Sequence, residues 1–226
     1  MQPDAFIVLR DVTVHYGSRV AVEDVSGRFA PGSLTAVVGA NGAGKSTLLG
    51  AIAGTVRFSG VVECPARARG RLAFLPQRAA LDVSYPLTVA ELIAVGGWRS
   101  FGAFRAPSAA VRAQVAEAAA AVGLTGRLRR RIAELSVGEL QRALFARLIL
   151  QDAAVILLDE PFAAVDAPTT GTLLDLIARW HQEGRTVVTV LHDLDLVRTR
   201  FPSALVLARR CISWGPTDAA ALALAA

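Results

Sequence analysis

Apolar positions along the chain fall into short dense runs separated by stretches of helical spacing. Residues 6–14 are rich in β-branched side chains and end at Tyr16-Gly17, which reads as a strand closed by a turn; residues 20–25 supply a second candidate. Residues 33–39 form a near-continuous apolar run bounded by glycines, the pattern of a strand buried on both faces of a mainly parallel sheet. Residues 71–75, 154–158 and 185–191 repeat it, each separated from the next by helical pattern, which is the order of an α/β core. Residues 204–212 read as part of a hairpin. Between Gln77 and Asp152 the period changes. Val111, Val115, Ala118, Ala119 and Val122 recur at helical spacing, and after a basic run Leu140, Leu144 and Leu148 do so again. The expected architecture is one α/β domain with its core at residues 1–77 and 152–226 and an inserted helical lobe at 78–151. Residues 99–108 are the expected flexible connection.

Composition narrows the class. With 226 residues, 53% hydrophobic and 19% charged, the chain can bury a real core, which excludes disorder. The densest apolar stretches, at residues 155–158, 204–208 and 219–226, fall short of the roughly 20 residues a spanning helix needs. Residues 1–9 lack a basic start and a long apolar run, so no secretory signal is read and a cytoplasmic location is expected. Cys64 and Cys211 have no paired spacing, which fits a reducing compartment and gives no disulfide or zinc framework. The net charge of +5 points to an anionic partner: nucleotide, nucleic acid or lipid headgroup. Lys45 is the single lysine among the 24 cations, the rest being arginine. A chain that otherwise meets its need for positive charge with arginine has kept a compact ammonium at one place.

That place is the segment Gly39-Ala40-Asn41-Gly42-Ala43-Gly44-Lys45-Ser46-Thr47, which fits the phosphate-loop pattern G-x-x-x-x-G-K-[ST] between a strand and a helix. Glycines let the backbone bend round phosphates and aim its N–H groups inward, while the helix starting near Gly44 adds its positive end. Lys45 is expected on the β- and γ-phosphates, Ser46 on magnesium, and Thr47 near the α-phosphate. The run Val155-Ile156-Leu157-Leu158-Asp159-Glu160-Pro161 places two carboxylates at the exit of a buried strand. Asp159 is expected in the magnesium shell, and Glu160 as the general base that polarises the attacking water.

Leu135-Ser136-Val137-Gly138-Glu139-Leu140-Gln141-Arg142 lies just upstream of that strand and resembles the LSGGQ-type segment of ATP-binding cassette proteins. The resemblance covers nearly the whole chain in order and spacing. It implies a P-loop ATPase fold with an antiparallel N-terminal β-subdomain, a mainly parallel core sheet and an inserted helical subdomain. It also implies that Tyr16 stacks on adenine, Gln77 senses magnesium and the membrane partner, and His192 contacts the γ-phosphate. Asp166 would link two sites across a head-to-tail homodimer in which ATP lies between one chain's phosphate loop and the other chain's Ser136 and Gly138. Two departures stand out: Val137 replaces a glycine and Glu139 a glutamine. Ser136-Val137-Gly138-Glu139 fits a capping box, but a carboxylate near a triphosphate is unfavourable, so weakened turnover is expected.

The same resemblance implies cofactors ATP and Mg2+, a separate integral membrane permease, and an extracytoplasmic metal-binding protein, with the chain peripheral on the cytoplasmic face of the inner membrane. The stretch after Gln77, residues 78–96, looks like that of zinc and manganese importers, with zinc the first choice; siderophore and cobalamin importers carry similar patterns. A GTPase would need an N-K-x-D sequence, which a chain whose lone lysine is Lys45 does not contain, and a P-loop kinase would not explain residues 135–142. A soluble cassette ATPase acting on DNA or the ribosome is the non-transport alternative, raised by the arginines at residues 127–131. Such proteins usually carry a long coiled coil or a second cassette, so no nucleic-acid partner is expected.

Overall fold

Ile7–Tyr16 (β1) and Arg19–Phe29 (β2) pair antiparallel across a tight turn at Gly17 and Ser18, with Tyr16 opposite Arg19. The computed structural model describes residues 4–77, 85–102 and 107–217. Ile7, Leu9, Val12 and Val14 of β1 are buried. The alternation slips at Asp11, where φ is 53° and the backbone N–H donates to Ser26 Oγ at 2.8 Å, a bulge that turns both Leu9 and Val12 to the core.

Leu34–Val38 (β3) follows, all five residues buried, and after a glycine loop comes Lys45–Ala53 (α1). Ser59–Glu63 (β4) closes the other side of β1, giving a sheet of order β2-β1-β4. The sequence reading had no strand there. Only Val62 of β4 is buried, so no alternation marks it. Gly60 is needed at φ 88°, because a Cβ would lie 2.3 Å from the Asp11 carbonyl oxygen.

A short helix, Pro65–Ala68 (α2), leads to Leu72–Leu75 (β5). Val155–Asp159 (β6), Thr186–Val190 (β7), Ser203–Ala208 (β8) and Arg210–Pro216 (β9) complete a second sheet of order β5-β6-β7-β3-β8-β9. Its pairs are parallel except β8 with β9, the hairpin expected at residues 204–212. β3, β6 and β7 are buried at every position, which is why their sequences read as unbroken apolar runs. The core joins Leu9 and Val12 of β1 to Leu48, Leu49 and Ile52 of α1 and to Leu157 and Val188 of the second sheet. Trp214 packs against Phe29 with ring centroids 4.5 Å apart.

These strands belong to one compact unit, drawn from Met1–Gln77, Ala154–Pro161 and Arg179–Ala226. The other unit is drawn from Arg78–Ala153 and Phe162–Ala178. It contains Val89–Ala94 (α3), Trp98–Phe101 (α4), Ala109–Ala121 (α5) and Val137–Gln151 (α6). Val111, Val115, Ala118 and Ala119 of α5 and Leu140, Leu144 and Leu148 of α6 are buried, the faces their spacing predicts. Two readings are corrected here. Residues 98–101 form a helix rather than part of a connection, and Phe162–Ala178, assigned by sequence to the core, clusters with the helical unit. Ala167–Gln182 (α7) therefore begins in the second unit and ends in the first, which also holds Leu194–Arg200 (α8). Residues 78–84 of the stretch after Gln77, residues 103–106 of the expected connection, and the apolar run at 219–226 lie outside the described residues. Among the described residues no helix is long and apolar enough to cross a membrane.

Candidate active site

Strands β6, β7 and β3 are neighbours, and residues just beyond the carboxyl ends of β3 and β6 line one cleft of about 350 Å3 within the first unit. Residues 41–47 form one wall, and Tyr16, Gln77 and Glu160 also line it. Of the nucleotide-site residues expected in this unit, Gly39, Asp159 and His192 do not line the cleft; each touches a residue that does.

The loop owes its path to glycine at two points. Gly39 stands at φ 146° and Gly44 at φ 95°, and an added Cβ would lie 2.1 Å from the Leu207 carbonyl oxygen or 2.3 Å from that of Ala21. Gly44 is the residue before α1, whose first residues, Lys45, Ser46 and Thr47, line the cleft. Lys45 is 5% exposed, and its ammonium donates to the carbonyl oxygens of Gly39 (2.7 Å) and Ala40 (3.0 Å). Burial holds its pKa below the ordinary lysine value, against the pull of Glu160 and Asp159.

Ser46 Oγ donates to Asp159 Oδ1 at 2.9 Å. Asp159 is 4% exposed, and burial pushes its carboxyl above the usual range, partly offset by the Ser46 bond. A hydroxyl, a buried carboxylate in want of a cation and the amide oxygen of Gln77 make a hard-oxygen donor set, which fits Mg2+.

Glu160 sits at φ 49°, a left-handed conformation that turns its side chain away from the line of β6. Both carboxylate oxygens are held. Gln77 Nε2 donates to Oε2 at 2.9 Å, and His192 Nε2 lies 2.6 Å from Oε1. A carboxylate oxygen accepts, so this contact is a hydrogen bond in the tautomer that carries the imidazole proton on Nε2. Asp193 fixes the backbone beyond His192, its Oδ1 accepting from the Leu196 N–H at 2.9 Å as the cap of α8. A carboxylate held between an amide and an imidazole, beside a phosphate loop, is a group able to accept a proton from water.

Ser136, Gly138 and Asp166 come together in the second unit. Ser136 Oγ accepts the Glu139 N–H (3.2 Å) and Glu139 Oε2 accepts the Ser136 N–H (3.0 Å), the capping box read from the sequence. Asp166 Oδ1 accepts the Thr169 N–H at 2.8 Å, and this bond holds its carboxyl below the usual range. Asp166 Oδ2 lies 3.4 Å from where a Gly138 Cβ would be. The Glu139 carboxylate is engaged: besides Ser136 it pairs with Arg127, whose Nε is 3.1 Å from Oε1. The repulsion expected of Glu139 toward phosphate is thus countered by a neighbouring cation. The Ser136 backbone bond depresses the Glu139 pKa most, so the cap is complete above the ordinary carboxylate range and is lost as pH falls through the lowered value.

Ser136→Ala is expected to destabilise the chain by about 1 kcal/mol. Thermal unfolding should then show Tm lower by roughly 2–4 °C, and an unchanged Tm would show that the cap contributes nothing.

Sequence reasoning missed Arg19 and Ala21, which also line the cleft, and Arg127. Arg19 was hidden among many arginines, and its place depends on the register of the β1–β2 hairpin.

The model of the ABC transporter family matches residues 22–163. The chain is 34% identical over 215 residues to the manganese transport system ATP-binding protein MntB of Listeria monocytogenes, covering 93% of this chain and 90% of that one. It is 39% identical over 210 residues to the zinc transport system ATP-binding protein TroB of Treponema pallidum, covering 91% and 79%. A chain of an ABC transporter in an inward-facing conformation shares the fold, with TM-score 0.83 and 24% identity over 97% of this chain and 88% of that one. So does a nucleotide-free ATP-binding cassette, with TM-score 0.79 and 20% identity over 94% and 92%. Phosphate loop, paired strand-end carboxylates and these relatives lead to one statement: the chain belongs to the ABC transporter family, as an ATP-hydrolysing subunit.

Proposed function

We propose that this chain energises the uptake of a divalent metal, zinc, through a separate membrane permease, from the cytoplasmic face of the inner membrane. The observation that carries the catalytic half is the Glu160 carboxylate held by Gln77 and His192 beside the phosphate loop. Lys45 leaves the loop carbonyls for the β- and γ-phosphates, and the N–H groups of residues 42–47 hold the phosphate chain. Ser46, Asp159 and Gln77 would hold Mg2+, which would supply neutralisation of the phosphate charge. Glu160 takes the proton of the attacking water, while His192 holds the Glu160 carboxylate in position and stands ready for the γ-phosphate.

The active unit in this reading is a pair of copies. Ser136, Gly138 and Asp166 cluster around the start of α6, and a head-to-tail homodimer presents that helix start to the partner's nucleotide. Tyr85, Val95 and Trp98 of the helical unit are large apolar side chains left exposed, which supports docking of the permease there. An extracytoplasmic metal-binding protein completes the importer, and no nucleic acid takes part.

Zinc is the first choice on the resemblance of the residues after Gln77 to those of zinc and manganese importers, and the name of the Treponema relative supports it. Manganese is the second reading, favoured by the names of the Listeria and Bacillus subtilis relatives. Growth of a deletion strain under a chelator, with zinc, manganese or iron restored one at a time, separates the readings. Rescue by zinc alone is the expected result; rescue by manganese alone makes manganese the cargo, and a strain indifferent to every metal sinks both.

A further inference from the structure

Tyr16 and Arg19 face each other across the tip of the β1–β2 hairpin. Directly opposed residues of an antiparallel pair project to the same side of the sheet, so the hairpin offers a ring and a guanidinium to one ligand. Both side chains are exposed and both line the cleft. Arg19 Nη2 lies 3.6 Å from the point where a Cβ of Gly42 would stand, at the bend of the phosphate loop.

Several arginines of the same unit are matched by acids: Arg69 and Arg71 by Asp4, Arg185 by Glu183, Arg210 by Glu23. Arg19 has no ion-pair partner among the described residues. The acid that lines the cleft, Glu160, is already engaged by Gln77 and His192. The other cation of the cleft, Lys45, is a single charge facing a polyphosphate that carries several. An unpartnered guanidinium at the rim suits a phosphate group, which its planar fork can grip with two parallel bonds.

We propose that Arg19 is a phosphate-binding residue of the nucleotide site, gripping the phosphate chain of ATP or ADP from the hairpin side while the loop N–H groups hold it from the other. This rests on the nucleotide-site reading and adds to it a second cation. The hairpin tip thereby binds both ends of one ligand, with the base on Tyr16 and the phosphates on Arg19.

Equilibrium titration of the purified chain with ATP and ADP over a range of salt concentrations tests this, using Arg19→Met, Arg19→Lys, Tyr16→Ala and Lys45→Met. Arg19→Met should raise Kd about tenfold for both nucleotides, as loss of one charge-assisted contact does, and should flatten the dependence of Kd on salt. Arg19→Lys should recover part of both effects. Tyr16→Ala should weaken binding with the salt dependence unchanged. A Kd for Arg19→Met within twofold of wild type overturns the proposal. So does a weakened Kd that keeps the wild-type salt dependence, because that places Arg19 on the base or in the scaffold. Tight binding retained by Lys45→Met would instead overturn the nucleotide-site reading itself.

Discussion

Replacing Glu160 by glutamine is expected to lower ATP turnover by about 10²–10⁴-fold, the range for removal of a general base, while ATP stays bound. Glutamine keeps the shape but has one accepting oxygen where the carboxylate has two, so one of the contacts at 2.9 and 2.6 Å can stay as it is and the other needs the Gln77 amide turned over or the His192 proton moved to Nδ1. What disappears is the group that accepts a proton from water. The substitution replaces neither the loop, nor Lys45, nor the Ser46–Asp159 pair, the groups expected to hold the nucleotide and its Mg2+. Parallel measurement of phosphate release and of ATP Kd checks this. A loss of turnover accompanied by a rise in ATP Kd of the same factor would show that Glu160 binds substrate rather than activates water.

Lys45→Arg is expected to weaken ATP binding by about a hundredfold or more, although the charge is kept, since it removes charge-assisted bonds of roughly 1.5–3 kcal/mol each and adds strain. Lys45 is 5% exposed and its ammonium fits between the carbonyl oxygens of Gly39 and Ala40. A guanidinium is planar and wider, and cannot present one compact charge there without moving a loop pinned by close backbone contacts at Gly39 and Gly44. That is the physical reason a chain built on arginine retains one lysine. Titration with ATP gives the answer, and a Kd within twofold of wild type would show that charge alone suffices.

The elements legible in the sequence are those whose burial is complete. β3, β6 and β7 are buried at every position and so announce themselves as apolar runs, and the chemistry attached to their ends is contiguous with them: Lys45 and Ser46 after β3, Asp159 and Glu160 at the end of β6, His192 after β7. Ser136 and Glu139 were equally legible, because a capping box is local. β4 escaped because only Val62 of it is buried and its pairing depends on a bulge in a distant strand. The Arg127–Glu139 pair escaped for a related reason: one of several adjacent arginines is chosen by the geometry of the lobe, and nothing in the run at residues 127–131 says which. Arg19 likewise acquires its place only when the hairpin register sets it opposite Tyr16. Local spacing carries contiguous chemistry, and long-range pairing has to be seen in three dimensions.

The most direct measurement is the initial rate of radioactive zinc uptake by cells whose only copy of this subunit is either wild type or Glu160→Gln, at matched protein levels. Zinc should enter the wild-type cells and not the variant. Equal uptake in the two would contradict the claim that water activation at Glu160 drives zinc import.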